Sequence, residues 1–184
     1  MVDIRRLARG IALQILYELD TTGHSEKEIT TFREPSTIKW DDARSKAYLA
    51  LRAYYDDTLH VEDDEDLDTS RFEETPLFSL EEQKFAYRLV EGVFANRERL
   101  DKLIQRFSPE WPVDQIATID RNILRIALYE FGVSRDTPIK VAINEAVELA
   151  KAFGSDNAPS FVNGVLGSLA DHHREIFVEN ESET

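Results

Sequence analysis

Cysteine is absent from the 184 residues. Disulfides and thiolate-held zinc are therefore excluded, and a reducing cytoplasm is the compartment that such a composition suits. No apolar run approaches the roughly 20 residues that a bilayer-crossing helix needs. The opening Met1-Val2-Asp3-Ile4-Arg5-Arg6 brings in charge before an apolar segment can form, so no secretory leader is expected. Histidine is scarce: His24, His60, His172 and His173 are the only four, and none makes the i, i+4 pair of a helical zinc hydrolase. The seven glycines form neither a phosphate-cradling loop nor a nucleophile elbow. The expectation is a chain without catalytic residues, cofactor or metal.

Positive charge is also in short supply, with a formal net charge of −14. On its face this argues against a nucleic-acid partner, since phosphate binding needs Lys and Arg. The distribution is uneven, however. Residues 24–75 carry fifteen acids against seven bases, and residues 171–184 carry five against one. Residues 1–23 balance at three each, and residues 76–170 hold thirteen acids and eleven bases. Local basic patches are therefore compatible with the total.

What is present is helical periodicity. Ile4, Leu7, Ala8, Ile11, Ala12, Ile15 and Leu19 follow the spacing of one buried stripe. At 100° per residue Arg5, Arg6 and Arg9 fall together on the other side, beside Leu13 and Tyr17. A solvated charged face is the ordinary reading of such a cluster. Three arginines with an aromatic neighbour and no acid between positions 4 and 17 also suit phosphate contact and base stacking.

Residues 40–55 read as a further helix, with Ala47, Leu51 and Tyr54 or Tyr55 on one face, followed by the acidic run 62–66. That run lacks the glycine and ligand spacing of a calcium loop, and a solvated linker is the expectation. Ser79 with Glu82 has the form of a capping box, opening an apolar stripe that runs from Phe85 to Phe107 and breaks at Ser108-Pro109. Trp111 to Ala117 reads as a short turn or helix. The next helix carries Ile119, Ile123, Ile126 and Phe131 and is expected to stop at Gly132. Thr137-Pro138 opens another that ends at Gly154, and Asn157 caps a last one holding Phe161, Val165, Leu166 and Leu169. No strand alternation of useful length is present. The expected fold is all-α: a compact bundle of about seven helices in a single domain spanning 1–184. It contains an insertion at 24–75 (helix about 40–55, acidic loop 56–75) and a flexible acidic tail over 173–184.

Residues 119–169 carry the most specific pattern. Ile123-Leu124-Arg125-Ile126-Ala127-Leu128-Tyr129-Glu130 is followed by Thr137-Pro138-Ile139-Lys140-Val141-Ala142-Ile143-Asn144-Glu145-Ala146, and then by Phe161-Val162-Asn163-Gly164-Val165-Leu166. With Arg5-Arg6-Leu7-Ala8-Arg9 and Ala12-Leu13-Gln14-Ile15-Leu16-Tyr17 ahead of them, these segments resemble the NusB family of bacterial transcription antitermination and ribosomal-RNA maturation factors. The likeness covers about 3–20 and 79–172, in order.

The resemblance implies a partner and a ligand. NusB-like proteins pair with a small-subunit ribosomal protein, also called NusE, and the pair binds boxA-type single-stranded RNA of ribosomal operons within the transcription elongation complex. By position, Arg5, Arg6 and Arg9 match the arginine-rich RNA-contacting segment, with Tyr17 beside them. Phe161 and Asn163 match a second part of that surface, and Asp120 and Arg121 a region used for the ribosomal protein. Leu7 interrupts what is often a longer arginine run, and the acidic insertion is expected to compete with RNA.

Asn144 and Glu145 fit a hydrogen bond between helices better than a ligand contact. Gly164 inside a helix costs about 1 kcal/mol against Ala, and close approach by backbone or by ligand explains it equally well. Two other readings stand beside the RNA-binding one. The first is a protein-interaction or homodimeric module with a masked RNA face. The second is an accessory domain related to ribosomal-RNA methyltransferases, which calls for a cofactor domain that these residues do not supply.

Overall fold

The computed structural model describes residues 4–22 and 80–177. The expected helix over 40–55, the acidic run, Ser79 of the capping box and the tail beyond Phe177 lie outside the described residues. Within them are seven α-helices and no strand: α1 (Ile4–Thr22), α2 (Leu80–Ala95), α3 (Arg97–Phe107), α4 (Thr118–Leu128), α5 (Ile139–Phe153), α6 (Ala158–Asp171) and α7 (His173–Phe177). A π-helical turn, Tyr129–Ser134, continues α4. None of these helices is long and apolar enough to cross a membrane.

The core is organised around α4. Its sequence, Thr-Ile-Asp-Arg-Asn-Ile-Leu-Arg-Ile-Ala-Leu, is apolar on nearly every side after the first turn, and such a helix must be enclosed. It packs against α1, α2, α3, α5 and α6. Every residue from Asn122 to Leu128 is buried. Full burial of a side chain such as Ile123 or Leu124 contributes about 1.5–3 kcal/mol. Helix α1 lies against α2 and α4, while α5 pairs with α6.

Three boundaries differ from the sequence expectation. The stripe from Phe85 to Phe107 is broken at Asn96, whose Nδ2 donates to the Gly92 carbonyl at 2.8 Å and turns the chain from α2 into α3. Gly132 does not stop the fourth helix. It sits inside the π turn, which ends at Arg135 with φ of 58°. A side chain at Gly132 would collide with the ring of Phe177, so this glycine is required by close approach rather than by a helix end. Residues 173–177, expected as the start of the tail, form α7. Ile176 and Phe177 are buried there, because an apolar pair at that point finds the π turn to pack on.

Candidate nucleic-acid interface

Helix α1 does not present its arginines as one solvated face. Arg9 is only 2% exposed. Its Nε and Nη2 donate to Glu130 at 2.9 and 2.8 Å, and its Nη1 lies 3.5 Å from Glu145. Thr137 Oγ1 donates to the same Glu130 at 2.8 Å. Arg6, half-buried, forks onto Glu145 at 2.8 and 2.6 Å. The expected placement fails because α1 is wrapped by neighbours on more than one side, so Arg9 and Leu13 are covered as well as the predicted stripe. A buried guanidinium is tolerable only with close carboxylates. Glu130 on the π turn and Glu145 on α5 supply them. Glu145 thus makes the interhelical bond anticipated for it, while Asn144 is exposed.

Arg5 is exposed and lies toward α2. Its guanidinium carbon sits 5.9 Å from the Phe85 ring, where Arg88 approaches at 5.8 Å and Arg9, from the buried side, at 5.4 Å. Arg5, Lys84, Phe85, Tyr87 and Arg88 line an open groove of about 520 Å³, together with Ala8 and the carboxylate of Glu82. Lys84, Phe85 and Arg88 were not picked out from the sequence as contact residues. Their signal was two cations one helical turn apart (i, i+4) with an aromatic three residues before the second. Tyr17, 36% exposed, is twelve residues further along α1, about 18 Å away.

A second groove, of about 540 Å³, opens between the end of α3 and α6. Phe161 lines it, with its ring 6.4 Å from that of Trp111 in an edge-on arrangement. Phe107, Asn157, Gly164 and Val165 also face it. Trp111 is 56% exposed, an unusual position for so large an apolar ring. It was read from the sequence only as part of a turn. Asn163, also exposed, does not line the groove: two residues from Phe161 places it on the far side of α6. Gly164 has nothing within 4 Å of where a side chain would begin, so packing within the described chain does not require it. Gly164 forms part of the open floor of this groove.

Asp120 and Arg121 lie at the start of α4. Asp120 is buried, its Oδ1 beside Gly154 without a partner among the described residues, and burial raises its carboxyl above the usual 3.8. Arg121 is half-buried; it donates to Val113 O at 3.2 Å and to Asp20 at 3.4 Å, while its Nε has no partner among the described residues. Nearby, Arg125 holds Asp101 through two 2.7 Å bonds and Asp20 through a third of the same length, which fixes α4 to α3 and α1. Among the described residues no three His, Asp or Glu side chains gather as metal ligands would.

Comparison with known proteins adds a family. The model of the NusB family matches residues 41–171. A transcription antitermination protein NusB of Roseiflexus sp. (strain RS-1) is 38% identical over 177 residues, which cover 95% of this chain and 97% of that one. Its counterpart in Dehalococcoides mccartyi (strain ATCC BAA-2266 / KCTC 15142 / 195) is 42% identical over 170 residues, 92% of each chain. Among solved structures, T. maritima NusB superposes with a TM-score of 0.60 at 25% identity, covering all of both chains. A chain from a complex of the antitermination factors NusB and NusE with dsRNA reaches 0.58 at 18% identity, covering 93% of this chain and 98% of that one.

Proposed function

The chain belongs to the NusB family, and from that premise we propose that it is a non-catalytic transcription antitermination factor that binds boxA-type single-stranded RNA of ribosomal RNA operons together with the small-subunit ribosomal protein NusE. The observation that carries the RNA-binding part is the groove where Arg5, Lys84 and Arg88 surround Phe85. In a chain of net charge −14 a polyanion is repelled except where cations are concentrated. Here they accompany a half-exposed ring, and single-stranded RNA is held by phosphate contacts plus stacking.

Arg5 and the edge of Arg6 are the phosphate ligands on α1 in this reading. Arg9 acts one step back, as the residue that fixes α1 and the underside of Phe85. Phe161 stacks a base with Trp111 beside it over the open floor at Gly164, and Asn163 and Tyr17 contact RNA or NusE from the flanks. The Asp120–Arg121 corner faces NusE. An unpaired buried polar atom costs roughly 1–3 kcal/mol, and a shift of this corner on NusE docking that gave Asp120 Oδ1 and Arg121 Nε partners would relieve it. The solved complex of NusB and NusE with dsRNA, of the same fold, supports an assembly of this kind. The pair would then act in the transcription elongation complex, and homodimer formation through the same face would compete with RNA.

The test is anisotropy of a labelled boxA-like RNA titrated with the protein alone and with NusE at two salt concentrations. Salt-sensitive binding that NusE strengthens, weakened in Arg5→Ala, is the expected result. NusE binding with no RNA binding at either salt would replace this reading with a protein-interaction module.

A further inference from the structure

Helix α3 carries a basic face that none of the roles above employs. Arg99, Lys102 and Arg106 fall within about 60° of one another around the helix, and they rise some 10 Å along it. All three are exposed. With Phe94, Arg97 and Leu103 they line an open groove of about 770 Å³, where Glu98 is the only acid among the described residues. Three of the four cations are laid over aromatic rings: Arg97 over Phe94 at 5.7 Å, Arg99 over Phe177 at 5.7 Å and Arg106 over Phe107 at 5.3 Å. A guanidinium held over a ring loses less freedom when it grips an oxyanion. Competition within the described chain is weak. Arg106 pairs with Glu175 at 2.6 Å, but both side chains are more than half exposed, and Arg97 lies 4.0 Å from Asp20. Exposed pairs of that kind exchange readily for another anion.

We infer that α3 is a second phosphate-binding track, which takes the sugar–phosphate backbone of RNA outside the segment held by the Arg5–Phe85 groove. A linear row of forked donors suits a repeating oxyanion, and bidentate Arg–phosphate contact is among the stronger charge-assisted bonds. The inference rests on the RNA-binding reading above. The two surfaces are separate: Phe85 and Phe94 lie nine residues apart on α2, about half a turn around it. An RNA must therefore extend past the end of the bundle to meet both.

The full-length protein is titrated with a boxA-like RNA of about ten nucleotides and with one of about thirty containing it, across a range of salt. The variants are Arg99→Gln/Lys102→Gln/Arg106→Gln, all at exposed positions, and Arg5→Ala. Single-strand binding loses about 0.7 of log–log salt slope per phosphate contact removed. The triple variant is therefore expected to flatten the slope for the long RNA by about 2 and leave the short RNA unchanged. Arg5→Ala should weaken both. If the triple variant binds the long RNA as the parent does while Arg5→Ala weakens it, the track is overturned and the face belongs to an acidic protein instead. If the parent binds neither RNA, the RNA-binding reading itself falls, and the track with it.

Discussion

Two arginines one turn apart on α1 have opposite fates. Arg9 points inward and is held by Glu130 and Glu145; Arg5 lies at the surface over Phe85, on the rim of the groove it shares with Lys84 and Arg88. The same side chain is enclosed in the core in one place and exposed on a groove in the other. The difference comes from how many helices surround each position, not from residue type. The contrast recurs between Gly132, whose space Phe177 fills, and Gly164, whose space is open.

The contrast is broken most forcefully at Arg9. Arg9→Ala removes the guanidinium that forks onto buried Glu130 and leaves Glu145 to Arg6 alone, and removing one partner of a buried pair costs about 3–5 kcal/mol. Urea unfolding should show that loss, whereas Arg5→Ala should stay within about 0.5 kcal/mol of the parent. Equal midpoints for the two variants would dissolve the distinction.

This is also where sequence reading reached its limit. The heptad-like stripes of α1, α4, α5 and α6 were legible because one apolar face follows directly from spacing. A helical wheel marks a second, polar face but says nothing of how many neighbours a helix will acquire. It therefore set Arg9 beside Arg5. The acid that claims Arg9 is 121 residues away, and no local pattern links them. Trp111 and Phe161 were separately visible, yet their meeting across a groove depends on how α3 and α6 pack. Gly132 looked like a helix end, since the sequence does not show that Phe177 would be laid on it.

Gly132→Ala is the next largest effect expected. Pushing the Phe177 ring aside should cost about 1–3 kcal/mol, the usual range for overpacking. The counterpart, Gly164→Ala, should raise stability by up to about 1 kcal/mol, since only helix propensity changes there. It should also weaken RNA binding if the groove floor takes a base. Thermal melts of the two variants read both, and destabilisation by Gly164→Ala would show that the site is packed after all.

Asp120 gives the smallest effect. Burial raises its folded-state pKa, so its favourable contribution is full below the unfolded value near 3.8 and is lost as pH rises through the folded one. Asp120→Asn should therefore be slightly more stable than the parent at pH 7. The gap should close as the pH falls through the carboxylate range. The position in the first turn of α4, where a helix favours negative charge, keeps the difference modest. A gap that widens on acidification would refute the sign.

The most direct test of the account measures RNA affinity and unfolding midpoint together in Arg5→Ala and Arg9→Ala, with affinity scaled to the folded fraction. The account predicts that Arg5→Ala loses affinity with an unchanged midpoint, and that Arg9→Ala shifts the midpoint far more than it shifts the affinity of the protein that remains folded. An Arg9→Ala protein of parental stability that no longer binds RNA would contradict it.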